Sequence, residues 1–235
     1  MNHHDFWWRF FPKRELNQIY LSVALRALSI SLLGLFIPLY LHYEIGISLM
    51  QTLLFYVLYS TIFGIATPVA AKFASHFGVK HTILFSLPFY FMFIAGLYAL
   101  PYYDVPLILI AVSSGISWAF YWLGLHLAFH HASHPKFRGE EIGKQKSATI
   151  LATLLGPVLG GFLIVHFGFK LVFLLTAVLL LLATIILFAS KENHIPYHFS
   201  IRAVINRKYW RNSFYYVSRG SMAMASSVVW PLCNA

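Results

Sequence analysis

Seven stretches of this chain are helix-length runs of apolar residues, and that leaves it few ways to fold. A bilayer core takes about 20 mainly apolar residues per helix. Runs of that length lie near Ile19–Tyr43, Gln51–Phe73, Thr82–Pro101, Pro106–His130, Ser147–His166, Phe169–Ser190 and Ser213–Leu232. The runs are continuous, not ten-residue alternations, so a membrane β-barrel is disfavoured. The expected fold is an all-α integral membrane protein.

The first and last runs share a signature. Arg26 precedes Pro38 by twelve residues, and Arg219 precedes Pro231 by twelve. Small and aliphatic residues fill both intervals, each run follows a basic, aromatic lead-in, and each proline is followed by leucine. A seventh span that echoes the first looks like one six-span repeat and the start of another. The expected layout is a six-helix bundle over residues 1–190, a basic linker over 191–212 and the first helix of an incomplete second bundle over 213–235.

Charge agrees with a membrane and sets an orientation. Only 10% of residues are charged, too few to cover the surface of a soluble chain of this length. The formal charge of +10 invites a nucleic-acid reading, but the positions of the basic residues oppose it. Arg9, Lys13 and Arg14 precede span 1, while Glu44 follows it without a nearby Lys or Arg. Lys72 and Lys80 follow span 2, and Asp104 alone follows span 3. Lys136, Arg138, Lys144 and Lys146 follow span 4, Lys170 follows span 5, and Lys191, Arg202, Arg207, Lys208 and Arg211 follow span 6. Basic loops stay cytoplasmic, so the N-terminus is expected inside a cell (plasma or cytoplasmic) membrane. The N-terminal segment lacks the form of a cleaved signal peptide, and one cysteine, Cys233, excludes an intramolecular disulfide. The bilayer is the expected partner, with mild attraction to anionic headgroups and no role for nucleic acid.

Span 5 carries the strongest local motif, Gly156-Pro157-Val158-Leu159-Gly160-Gly161. Ala148, Ala152, Gly156 and Gly160 recur every four residues, a small-residue ridge that lets another helix approach closely. Pro157 bends the helix by removing a backbone hydrogen bond. Packing alone and a role in gating both fit this ridge.

Polar and aromatic residues concentrate in spans 1, 2, 4 and 5. Spans 3 and 6 are the least polar, which suits lipid-facing positions. Arg26 and Arg219 are the only basic residues well inside spans. Each either snorkels to the cytoplasmic interface or lines a cavity. Ser22, Arg26 and Ser29 share one helical face. Ser114, Trp118, Trp122 and His126 step by four along span 4 with Tyr121 alongside, a wall suited to a solute or to ordinary packing. Tyr56 and Tyr59 on span 2 and Thr149 on span 5 complete the cavity candidates. His126, His130 and His134 continue the step of four without Cys, Asp or Glu beside them, so no metal is expected. No carboxylate falls inside a span, which leaves any coupling ion unassigned.

The motif of span 5 resembles the fifth-helix motif of the major facilitator superfamily, as do the Arg138-Gly139 step and Gly143 before it. A second motif of that family lies between helices 2 and 3; here Gly78 and Lys80 match it, while Ala71, Ser75 and His76 depart and its acidic residue is absent. The resemblance covers the whole chain but only about seven of the family's usual twelve helices. It implies a carrier of a small solute working by alternating access, with helices 1 and 7 lining one central cavity. Gly156, Pro157, Gly160, Gly161, Gly78 and Lys80 become candidates for gating or packing. It further implies that a second chain or the remaining half completes the cavity, and that this polypeptide alone does not transport. No catalytic set and no cofactor is expected. The competing readings are a seven-helix receptor-like protein or a membrane protein acting on lipid. A retinal protein would need a lysine in its last helix, where only Arg219 stands.

Overall fold

The computed structural model describes residues 14–188, and every regular element there is helical. The linker and the seventh span, with Arg219 and Pro231, lie outside the described residues.

Helix α1 runs Arg14–Gly34 and is continued by Phe36–Leu39 and a π-helical turn over Tyr40–Glu44. The interruption at Leu35 has a local cause. Pro38 has no N–H to offer the carbonyl of Gly34, so the ladder breaks one turn before it. The chain then widens, and the Ile45 N–H donates to the Tyr40 carbonyl at 3.0 Å. Helix α2 spans Leu49–Phe77. A capping box starts it: Ser48 Oγ accepts from the Gln51 N–H, and the Gln51 side chain accepts from the Ser48 N–H. Helix α3 spans Val79–Ala99 and α4 spans Leu107–Ala132.

Gly78 alone separates α2 from α3. Its φ of 89° is open to glycine and strained for other residues. Its N–H donates to the Ala74 carbonyl, and its carbonyl accepts from the N–H and hydroxyl of Thr82, so one residue caps both helices. This is the site of the motif match at Gly78 and Lys80. Ser75, where the family pattern is acidic, turns its hydroxyl onto the Lys72 carbonyl at 2.7 Å.

The last helical run, Arg138–Phe188, has 51 residues and is broken at Gly168, with φ 75° and ψ 174°. At 1.5 Å per residue a straight run would reach about 75 Å, far beyond a core of about 30 Å. The contacts show that it folds back. On α1, Ser31 meets Gly156 and Ser29 meets Thr176, although Gly156 and Thr176 stand on opposite sides of the break. The two arms are therefore antiparallel helices, α5 (residues 138–167) and α6 (residues 169–188). Six helices, α1 to α6, result among the described residues, where the sequence places spans 1 to 6.

Two expectations need correction. Span 5 begins nine residues earlier than Ser147, because the basic connection is itself helical. Glu140 pairs with Lys144 at 2.8 Å one turn apart, and Glu140 and Glu141 stand in the first turn, where negative charge is favoured. Span 3 is not lipid-facing all round: α3 buries Ile83, Leu87, Tyr90 and Ile94 on one face and exposes Leu84, Phe85, Met92 and Tyr98 on the other. Helix α6 shows lipid only one face. Val172, Thr176 and Leu180 are buried, while Leu174 and Ile185 are exposed. Lipid and protein interior are equally apolar, so an apolar helix does not declare which one it faces.

Helix α1 packs on α5 and α6, and α4 packs on α2 and α3. The small-residue ridge of α5 faces α1. A Cβ at Gly156 would collide with Ser31, and one at Gly160 with the Leu32 carbonyl and Phe36. Tyr40 links α1 to α3 by donating to the Leu97 carbonyl at 2.9 Å, and Tyr20 links α1 to α5 through the Glu141 carbonyl at 3.2 Å.

Candidate functional site

Arg26 departs most from what a membrane interior tolerates. It is 2% exposed, and its Nε, Nη1 and Nη2 have no hydrogen-bond partner among the described residues. The side chain does not snorkel. Arg26 stands twelve residues, roughly 18 Å along the axis, beyond Arg14, the first described residue of α1. Its Cζ sits 3.4 Å from the centre of the Tyr121 ring on α4 and 5.5 Å from that of Tyr90 on α3. An arginine at mid-membrane costs at least ~2.5–3.5 kcal/mol on insertion scales. A desolvated cation–π contact offsets about 2 kcal/mol of that, but it gives the N–H donors no acceptor.

The other residues of that face of α1 are buried too, with a different role. Ser29 Oγ donates to the Thr176 carbonyl at 2.8 Å, and Thr176 Oγ1 donates to the Ser29 carbonyl at 3.3 Å. This reciprocal pair holds α1 against α6. Ser22 is buried one turn before Arg26.

Across the bundle, five of the residues singled out from sequence form one continuous strip. Tyr56 meets Tyr59 at 6.4 Å, Tyr59 meets Trp118 at 6.2 Å, Trp118 stacks on Trp122 at 5.9 Å, and Trp122 stacks on His126 at 5.5 Å. The two tyrosines come from α2 and the rest from α4. Helix spacing makes this possible, since steps of three and four keep residues on one face. Glycine lets the two helices close: a Cβ at Gly115 would stand 2.7 Å from the Tyr59 carbonyl. Tyr56, Tyr59, Trp118 and Trp122 are half-buried and His126 is exposed, so ring faces remain open.

Beside the strip lies a groove of about 290 Å³, lined by Phe63, Thr67, Ala119, Trp122, Leu123 and His126. Tyr121 joins it to the arginine, packing edge-on against Trp122 at 5.6 Å while its face carries Arg26. The guanidinium thus sits one ring behind the aromatic strip. Ser114 is buried within α4. Thr149 is half-buried on α5 and donates to its own helix at the Gln145 carbonyl, apart from this cluster. Gly156 and Gly160 belong to the contact with α1, and a Cβ at Gly161 would stand 3.3 Å from Phe36 just beyond it; Pro157 is half-buried next to Gly156. Among the described residues no group of three or more His, Cys, Asp or Glu is arranged to hold a metal ion.

Sequence reasoning missed Tyr90, Phe63 and Thr67. For the last two a signal existed, because Tyr56, Tyr59, Phe63 and Thr67 follow one face of α2. Tyr90 stands in an apolar helix and becomes visible only when α3 is set against α1.

Six apolar helices long enough to cross a bilayer, counted among the described residues, define a multi-pass helical membrane protein. The Major Facilitator Superfamily model matches residues 19–235, and the chain belongs to that family. Among solved structures, an in meso crystal structure of the POT family transporter PepTSo matches with a TM-score of 0.58 at 20% identity. That match covers 81% of this chain and 40% of the transporter, so the chain spans well under half of that protein's length. At such identity the likeness is one of fold. The comparison with curated proteins gives no match.

Proposed function

We propose that the chain is the substrate-binding body, or part of it, of a secondary transporter that moves a small solute by alternating access. It is read as a carrier and not as an enzyme, with its N-terminus cytoplasmic in the cell membrane. The observation that carries this reading is the strip of open ring faces along α2 and α4, with a groove beside it and a buried charge behind it. Such a wall binds without covalent chemistry. Family membership favours this over the receptor-like and lipid-acting readings. A second six-helix body, from further sequence or another chain, faces the wall, because alternating access needs two bodies that move against each other.

Accessibility labelling tests this without knowing the solute. In a Cys233→Ser background, Leu123→Cys on the groove wall is exposed to membrane-impermeant thiol reagents in oriented vesicles. Labelling from either side, at rates that shift in opposite directions as the equilibrium is biased, is the expected result. Labelling from one side only under every condition removes alternating access.

A further inference from the structure

Resting on the transporter reading above, we infer that the solute is an organic anion: Arg26 binds its anionic oxygens and the α2–α4 strip holds an apolar or aromatic body. The guanidinium is fully buried with all three nitrogens unpaired among the described residues. Its neighbours supply ring faces, which attract a cation but accept no in-plane N–H bond. Of the two hydroxyls on its own face, Ser22 and Ser29, neither bonds to the guanidinium, and that of Ser29 is committed to Thr176.

Among the described residues no carboxylate pairs with Arg26. The acidic residues between 14 and 188 are Glu15, Glu44, Asp104, Glu140 and Glu141, all at helix ends or in connections. A carboxylate or phosphate oxygen pair matches the planar fork of an arginine, which a water-excluding site strengthens. A cationic solute, by contrast, would meet an uncompensated like charge one ring away. Ring faces alone would suit a cation; ring faces in front of an unpaired guanidinium suit an aromatic or aliphatic anion. Access to Arg26 requires Tyr121 to move, because that ring covers the guanidinium and also forms the edge of the strip.

The test uses the purified 235-residue chain in micelles and reads the part of the tryptophan fluorescence change that is lost in Trp118→Phe/Trp122→Phe, since the chain carries six tryptophans. Three probes share one aromatic body: 3-phenylpropionate, 3-phenylpropanamide and 3-phenylpropylamine. The carboxylate is expected to bind about tenfold or more tightly than the amide, with the amine weakest. Arg26→Met should erase that preference while leaving amide affinity within about twofold, and Arg26→Lys should keep part of it. The ranking in the unaltered chain decides the matter even if Arg26→Met fails to fold. Equal binding of carboxylate and amide, or preference for the amine, overturns the anion assignment and leaves the transporter reading standing. A preference that survives Arg26→Met overturns the role of that residue. Saturable binding of none of the three overturns the anion assignment for this chain and leaves the transporter reading to the labelling at Leu123→Cys.

Discussion

Helices α1, α5 and α6 meet through backbone, whereas α2, α3 and α4 meet largely through rings. In the first group Gly156 and Gly160 bring α5 onto Ser31 and Leu32, and the Ser29–Thr176 pair closes α1 on α6. Every polar group named in that contact has a partner. In the second group Phe73, Phe85 and Phe120 cluster with centroids 4.9–5.5 Å apart, and Tyr59 leans on Trp118. Glycine also serves there, at Gly115 and at Gly124 against Ile83, but large side chains around these crossings leave a groove. Backbone contacts in lipid are tight and specific; ring contacts are large, adaptable and incompletely covered. The first group is therefore the frame and the second the surface that meets a solute. Arg26 stands between them, carried by the frame and bedded on the rings.

The strongest way to break this comparison is Gly156→Leu. No space exists beside Ser31 for a side chain, so folded yield in the membrane should collapse, while Leu155→Ala on the exposed face should leave it near normal. Gly156→Ala is milder, an overpacking loss of about 1–3 kcal/mol measured by unfolding in mixed micelles. Equal behaviour of Gly156→Leu and Leu155→Ala would end the idea of a close frame. Next comes the reciprocal pair. Ser29→Ala and Thr176→Val should each lower stability by about 0.5–1.5 kcal/mol and show non-additive coupling in a double-mutant cycle. Additive losses would mean the two bonds act separately. On the other side, Trp122→Ala should lower stability by less than ~1 kcal/mol, because its stacks with Trp118 and His126 are open on one face. A loss of core size would make the strip a packing feature. The smallest effect belongs to Gly64→Ala on α2, where nothing stands within 4 Å of an added Cβ. Better helix propensity should then raise stability by up to ~1 kcal/mol.

The frame is readable in the sequence because a step of four small residues is a property of helix geometry. Ala152, Gly156 and Gly160 fall in line whatever the partner helix is. The aromatic strip was half readable for the same reason: Trp118, Trp122 and His126 lie on one stripe, but their junction with Tyr59 depends on how α2 crosses α4. The condition of Arg26 was not readable. Its burial depends on Tyr90 and Tyr121, far along the chain on two other helices, and periodicity in α1 carries no trace of them. The buried face of α3 was equally hidden, since Leu87 and Ile94 would suit lipid as well as they suit protein. The early start of α5 leaves a trace in the Glu140–Lys144 spacing, which hydropathy does not register.

The glycine at 168 has a consequence for how the protein is made. Helices α5 and α6 share a turn with no spare residues, as α2 and α3 do at Gly78. Neither helix of such a pair can settle at depth while its companion waits in water, for the chain between them has no slack. Each pair should enter the bilayer during synthesis as one hairpin, with its topology decided once for both crossings. That makes the lone Lys170 beside the Gly168 turn tolerable, because the four basic residues between 136 and 146 bias the hairpin as a unit. A few flexible residues inserted after Gly168 would uncouple the two decisions, and misoriented α6 would be the visible product.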